Sequence, residues 1–335
     1  MSEGGPFFIV GSPRSGTGLL RDLVRAHPAI EIPSESHFIP PLFHGYRDPL
    51  SERTARTLAR RILALRWVRL WRLDLAPSDF AGCRTYAEIV GRMYAAYAAR
   101  SAKVRWGDKT PQYVREIPAL RALFPDCRVL HIHRDGRDVW RSWRATSFGP
   151  ANAYVAAKTW AGFVGAGRAA GRNLDPGTYM EVRYEDLLAD PERIMRGVCD
   201  FLGESFDPAM LRPMAPPIGG WRDRPAIDGE IARTNSGRWR AELPVEDRRV
   251  FEAVAGSVLA DLGYELEGHD AGVGRIARMR WMLQERAQWI PRRLRVDGVI
   301  RLAPHVATLA LVWAGVRRRV GLGRYLDESS SRRVA

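Results

Sequence analysis

The chain has 335 residues, 46% hydrophobic and 27% charged, and its 52 Lys and Arg against 38 Asp and Glu give a formal net charge of +14. Those proportions exclude a disordered or fibrous polymer and fit a soluble globular enzyme: one large core domain with an appendage. Cys83, Cys127 and Cys199 are odd in number and lack metal-ligand spacing, which argues against a disulfide scaffold and for a reducing, cytoplasmic compartment.

The charge is uneven. Residues 271–335 hold 14 Arg against Glu285, Asp297, Asp327 and Glu328, so the tail carries +10 and the first 270 residues carry +4. A basic tail of this kind suits an anionic surface, a membrane or a nucleic acid, although a solvated charged face is the bland alternative. Among the basic residues 49 are Arg and only Lys103, Lys109 and Lys158 are Lys. In so Arg-biased a chain each Lys marks a place where a compact, rotatable ammonium could be required.

In chain order, the first element is an apolar run from Phe7 that breaks at Gly11 and resumes at Thr17 with leucines at helical spacing, FFIVGSPRSGTGLLR. Strand, glycine loop and helix in that order make an anion cradle, because successive backbone N–H groups and the positive helix end converge on one point. Ser12, Ser15 and Thr17 add hydroxyls, Pro13 shapes the turn, and Arg14 adds a fork of charge. The Gly11-to-Gly16 spacing matches the start of G-x-x-x-x-G-K-[ST], but Thr17 stands where the Lys belongs and Gly18 where the Mg²⁺-binding hydroxyl belongs. A phosphate loop without its ATP and Mg²⁺ parts favours a donor with less charge at the transferring group, and no metal is expected. An ordinary tight turn is the competing reading.

The start, MSEGGPFFIVG, has neither a basic n-region nor a long apolar h-region, so no secretory signal is expected. Residues His27 to His37 form a Pro-punctuated connection with Glu31 and Glu35. Ser51 to Leu75 is helical and strongly basic with Trp67 and Trp71 interleaved, and Arg84 to Arg100 is a second helix whose Ile89, Met93 and Tyr97 stripe reads as core. WGDKTP then gathers Trp106, Asp108, Lys109 and Thr110 before a Pro that can open a helix.

RVLHIH (128–133) alternates as a strand and runs into the helical RDGRDVWRSW; Arg134 falls at the strand's C-terminal end and Ser142 eight residues on. Arg with a hydroxyl is a phosphate-ligand pair, and local pairing of Arg134 with Asp135 or Asp138 is the alternative. A strand over Thr178 to Arg183 precedes RYEDLLADPE and a helix to Leu202; there Glu185 and Asp186 read as helix-capping acids. Glu204 to Arg240 is a Pro-, Gly- and Arg-rich loop region, and Leu243 to Leu262 is a helix. RIARMRWMLQERAQWIPRRLR is a basic amphipathic helix, followed by an apolar one near Val299 to Val316, whose longest apolar stretch is too short to cross a bilayer.

Repeated strand-then-helix order predicts an α/β fold with a P-loop-type, mainly parallel sheet and helices on both faces, over residues 1–270, plus a basic helical C-terminal extension over 271–335. Pocket-forming loops are expected at Pro40 to Asp48 and Ala215 to Thr234.

GSPRSGTGLL with AHP, then ESHF, WGDKTP, HIHRDGRDVWRS, RYEDL and GRW, in that order, resembles the PAPS-dependent sulfotransferases. The likeness is closest to a bacterial branch related to the tyrosylprotein and heparan sulfotransferases, and it spans roughly residues 6 to 265. The resemblance implies PAPS as co-substrate, no metal, and a small-molecule, glycan or lipid-linked acceptor carrying a hydroxyl or, second, an amine. It implies that Arg14, Ser15, Gly16 and Thr17 hold the 5′-phosphosulfate and Arg134 with Ser142 the 3′-phosphate. Glu35 becomes the catalytic base, with His37 as an alternative base, Lys109 the catalytic lysine, and Gly237 and Arg238 the element closing over the nucleotide. His37 stands where the tyrosylprotein branch carries an Arg, which argues against a peptide acceptor. Trp106 and Trp239 are open between adenine stacking, an acceptor wall and packing under loops. The competing function classes are a P-loop small-molecule kinase and a non-catalytic basic protein that docks on membrane or nucleic acid. Nucleic acid is not the expected partner, and a peripheral position on the inner face of the membrane is.

Overall fold

In the computed structural model the described residues are 4–297, apart from 47, 147, 213, 215–230, 232–233, 269–271 and 273, and without the side chains of 288–297. The apolar segment Val299 to Val316, most of the expected pocket loop Ala215 to Thr234, and the larger part of the tail's charge lie outside them. No helix among the described residues is long and apolar enough to cross a membrane.

Five strands, β1 (Phe7–Gly11), β2 (Ile30–Glu31), β3 (Arg105–Lys109), β4 (Arg128–His133) and β5 (Tyr179–Arg183), form one sheet in the order β2-β3-β1-β4-β5. Every pairing is parallel. FFIVG is buried along its whole length, as a central parallel strand covered on both faces must be. The connections leaving β1 and β4 run in opposite directions across the sheet, which makes the carboxyl ends of these neighbours the topological switch point where open α/β sheets take ligands. Register sets Lys109 beside Ile9 and Gly11 beside Ile132.

The helices are α1 (Thr17–Arg25), α2 (Ile39–Phe43), α3 (Glu52–Leu63), α4 (Arg66–Arg69), α5 (Tyr86–Ala99), α6 (Ile117–Leu123), α7 (Gly136–Arg144), α8 (Ala153–Gly171), α9 (Tyr184–Ala189), α10 (Pro191–Leu202), α11 (Trp239–Glu242), α12 (Val245–Asp261) and α13 (Arg275–Asp297). Their ends follow local chemistry. Ser51 caps α3 by accepting from the Thr54 N–H, Thr85 and Glu88 form a capping box on α5, and Gly203 closes α10 in the left-handed conformation.

Three differences from the sequence reading have physical causes. WGDK, assigned to no element from the sequence, is a strand: Asp108 and Lys109 are buried because Tyr94 and Glu35 satisfy them. The connection after α1 contains the two-residue β2. Helix α8, AYVAAKTWAGFVGAGRAAG, is apolar or small on most sides, so no stripe marks it in the sequence.

The described residues fall into two compact units, 4–133 with 166–235, and 134–165 with 236–297. In the first, Phe7, Ile9, Leu130, Ile132 and Val182 of the sheet pack with Leu20 and Leu23 of α1 and with Leu187, Met195 and Leu202 of α9 and α10. Phe8 points to the other side, against Trp106 and Phe124, where His131 also meets Gly167 of α8; helices therefore cover both sheet faces. The second unit has its own core of Trp140, Trp143, Trp160, Trp239, Phe251 and Leu259.

His131 is fully buried, with Nδ1 2.6 Å from the Tyr179 hydroxyl. Burial, with help from nearby positive charge, pushes His131 down to about 3 and His133 to about 4, from the usual 6.5. Both rings stay neutral in the fold while the unfolded chain takes up protons near pH 6.5. Stability is therefore whole above that pH and falls on acidification toward pH 4, by about 1.4 kcal/mol per pH unit for each ring. Urea midpoints between pH 7 and 4.5 should show this fall, and His131→Phe should make it shallower; an unchanged slope would clear His131 of responsibility.

Candidate active site

Four strand ends carry the polar groups singled out in the sequence. Beyond β1, the Ser15 N–H donates to the Ser12 carbonyl at 3.1 Å, turning the chain so that Gly16 begins α1. Arg14 adopts φ 73° and Gly16 φ 95°. A Cβ on Gly16 would lie 2.2 Å from Cδ2 of Tyr184, so close approach and backbone both require glycine there. The Ser15 hydroxyl is buried and has no partner among the described residues, an unmet donor inside a cradle of backbone N–H groups. Ser12 and Thr17 are buried as well.

Beyond β2 and at the end of β3, the predicted catalytic residues meet. Lys109 Nζ donates to Glu35 Oε1, and His37 Nε2 lies 3.0 Å from Glu35 Oε2. Burial alone would push the Glu35 carboxyl up, but the Lys109 ammonium and the His37 ring outweigh it and hold the group well below the usual carboxylate range. His37 sits at φ 55°; among the described residues four non-glycine positions take positive φ, and Arg14 and His37 are two of them. Strained backbone of this kind persists only where its surroundings over-determine it.

Those surroundings are visible. The Ser36 N–H donates to Thr110 Oγ1 at 3.1 Å, the Ser36 hydroxyl lies 2.8 Å from the Tyr113 hydroxyl, and the Ile39 N–H donates to that same oxygen at 3.0 Å. Trp71 donates its indole N–H to Ser34 Oγ at 2.9 Å. The segment bearing Glu35 and His37 is thus held at Ser34 by Trp71, just after α4, and at Ser36 and Ile39 by Thr110 and Tyr113, just after β3. Trp67 of α4 stands edge-on to the His37 ring, centroids 6.0 Å apart, and its buried indole nitrogen has no partner among the described residues.

In the second unit, Arg134 Nη2 approaches Asp138 Oδ2 at 3.5 Å. Asp138 also accepts the N–H groups of Gly237 at 2.7 Å and Trp239 at 3.0 Å. One buried carboxylate therefore ties the GRW element to Arg134, and Ser142 stands one turn further along the same face of α7. Local pairing of Arg134 with Asp138 is therefore present, and the same carboxylate holds the two backbone N–H groups of the GRW element. Arg238 points elsewhere, forming an ion pair with Glu242 at 2.6 Å, and is half exposed.

Several residues matter that sequence reasoning passed over or left open. Asp138 appeared only as a rival partner for Arg134; its role depends on Gly237, 99 positions away. Tyr184 belongs to the RYEDL motif, yet only the clearance at Gly16 reveals that its ring backs the loop; its hydroxyl is fixed by Asn235 Nδ2 at 2.9 Å. Trp106 packs among Phe8, Tyr94 and Phe124, and Trp239 lies against the Arg137 and Arg240 guanidiniums, so both have packing partners within their own units. Arg183, at the N-cap of α9, makes no side-chain capping bond, and Glu185 lies 3.6 Å from Arg183.

Comparison with known proteins bears on this arrangement. A model of the sulfotransferase family matches residues 6–208. The nodulation protein NoeE of Sinorhizobium fredii is 25% identical over 338 residues, covering 87% of this chain and 75% of its own. A protein-tyrosine sulfotransferase of Drosophila melanogaster is 24% identical over 282 residues, covering 77% of this chain and 51% of its own. Among solved structures, the sulfotransferase domain of the Synechococcus PCC 7002 olefin synthase superposes with a TM-score of 0.52 at 23% identity, over 79% of this chain and 98% of that one. The sulfotransferase domain from the curacin biosynthetic pathway gives 0.51 at 22% identity, over 78% and 99%. These two share the fold.

Proposed function

The chain belongs to the sulfotransferase family, and on that premise we propose that it moves the sulfuryl group of PAPS to a hydroxyl of a carbohydrate or lipid-linked acceptor. The observation that carries the residue roles is the ion pair between buried Lys109 and partly exposed Glu35, flanked by His37, in the same unit as the glycine loop.

The loop from Ser12 to Gly18 fits a phosphosulfate: a partnerless buried hydroxyl on Ser15, a left-handed Gly16 and the N-terminus of α1 supply donors without Mg²⁺ ligands. Arg134 and Ser142 would take the 3′-phosphate, with Asp138 orienting Arg134 and anchoring Gly237. Arg238 would reach a nucleotide only by leaving Glu242, an exchange of one exposed ion pair for another that costs little. Bound PAPS supplies an activated sulfuryl group with a good leaving oxygen.

The protein's own work is positioning and charge management. Glu35 accepts the proton of the acceptor hydroxyl, and Lys109 with Arg14 meets the charge that grows on the bridging oxygen. With Lys109 on it, Glu35 is a poor base, since the ammonium holds its carboxyl down. When Lys109 turns to the bridging oxygen, Glu35 loses its strongest lowering partner and becomes more basic as the acceptor needs it. His37 keeps the carboxylate oriented and stands as the alternative base. Trp67 adds an aromatic side chain next to His37 on this side. An amine acceptor could use the same base.

Binding of PAP and of ATP, each measured in EDTA and again in Mg²⁺, tests the donor assignment, and transfer of labelled sulfate from PAPS to glycan and lipid extracts tests the reaction. PAP alone should be retained in EDTA and a glycan or glycolipid should become labelled. Retention of ATP only, and only with Mg²⁺, would remove the proposal in favour of a kinase.

A further inference from the structure

Helix α13 has two faces with different partners. One is anchored to its own unit: Trp281 stacks on Tyr154 with centroids 5.5 Å apart, the Trp281 carbonyl accepts from Asn152 Nδ2 at 3.0 Å, and Glu285 accepts the Ala151 N–H at 2.6 Å. At 100° per residue the opposite side of the helix carries Ile276, Met279 and Leu283, at i, i+3 and i+7. These are 81%, 61% and 56% exposed, among the most exposed large apolar side chains of the described residues. Arg275, Arg278 and Arg286 line a shallow depression together with Met279, Met282 and Leu283. Glu285 is the one acid between 275 and 287, and it is turned to the anchored face.

We propose that this outward face of α13 docks the protein on an anionic lipid surface. The charge pattern selects that occupant. A second copy of the same face would bring arginines against arginines, and a nucleic acid would pair the arginines while leaving Ile276 and Leu283 in water. A layer of acidic headgroups over acyl chains meets both requirements at once: guanidiniums stay at phosphate level and the apolar side chains enter the acyl boundary. The inference stands on α13 alone and does not depend on which acceptor the active site takes.

Flotation of the full chain with vesicles of phosphatidylglycerol in phosphatidylcholine, against phosphatidylcholine alone, tests it. Binding should occur to the anionic vesicles and weaken with salt, since each arginine near the surface adds to attraction that the ionic atmosphere screens. Replacing Arg275, Arg278 and Arg286 by Gln should lower the vesicle affinity roughly a hundredfold. Ile276→Ser, Met279→Ser and Leu283→Ser together should leave the melting temperature unchanged, because the side chains are exposed, and should reduce binding to a weak, fully salt-reversible residue. Equal flotation on neutral vesicles, binding unaffected by either set of changes, or displacement by duplex DNA at equal phosphate would each overturn the proposal. So would a clear fall in melting temperature in the Ser variant, which would mean that another part of the chain covers the face.

Discussion

Glu35→Gln is expected to lower kcat by about 10²- to 10⁴-fold, the usual contribution of a positioned general base, while PAP binding stays near the parent value. The amide keeps the shape beside His37 and Lys109 but cannot take the acceptor's proton. Lys109→Ala should cost about 10²- to 10³-fold, as removal of a group aimed at developing charge does, and it carries a second signature. Burial raises the Glu35 carboxyl and Lys109 is the largest influence lowering it, so without Lys109 the Glu35 pKa must rise. In the parent, Glu35 stays ionised across the working range and gives no acid limb to kcat/KM. In Lys109→Ala an acid limb should appear, with activity lost as pH falls through the raised value. A pH profile that keeps its shape while the rate drops would mean that Lys109 acts on the donor only and does not govern the base. If Glu35→Gln left kcat intact and His37→Ala removed it, the two residues would exchange roles.

Gly16→Ala should be the most damaging single change in the donor loop. The methyl group would sit 2.2 Å from the Tyr184 ring, a buried side chain whose hydroxyl is held by Asn235, so the ring cannot move aside freely. The backbone at φ 95° adds its own penalty for any side chain. Overpacking of this kind costs about 1–3 kcal/mol, and the loop can relieve it only by opening, which turns its N–H groups away from a common point. PAP affinity by calorimetry should fall at least about tenfold while far-UV dichroism is kept. Gly16→Ala combined with Tyr184→Ala relieves the clash but not the dihedral, so it should recover part of the affinity. Full recovery would assign the glycine to packing alone, and no loss in the single variant would dissociate the loop from donor binding.

Much of the architecture was legible because it is written in short-range patterns. FFIVG and RVLHIH are apolar enough to be read as buried strands, the run at 178–183 is legible as a strand, and their alternation with helices predicts a parallel sheet. β3 was hidden because a strand containing Asp and Lys looks like a loop until Tyr94 and Glu35, respectively 14 and 74 positions away, are seen to satisfy them. α8 was hidden because alanine and glycine on most sides leave no stripe.

The same division runs through the site. The sequence by itself determined the strand, glycine loop and helix around Ser12 to Gly18, since a glycine turn between a strand and a helix is set by local chemistry and needs no distant partner. It also singled out Lys109, as one of three Lys among 49 Arg. Only the tertiary structure decided that Lys109 lies on Glu35 and depresses it, that Tyr184 backs Gly16, that Asp138 binds the Gly237 element to Arg134, and that α13 turns an apolar, arginine-bordered face outward. Side-chain electrostatics and clearances fall off over a few ångströms, and which residues share those ångströms is fixed by packing between elements far apart in the chain.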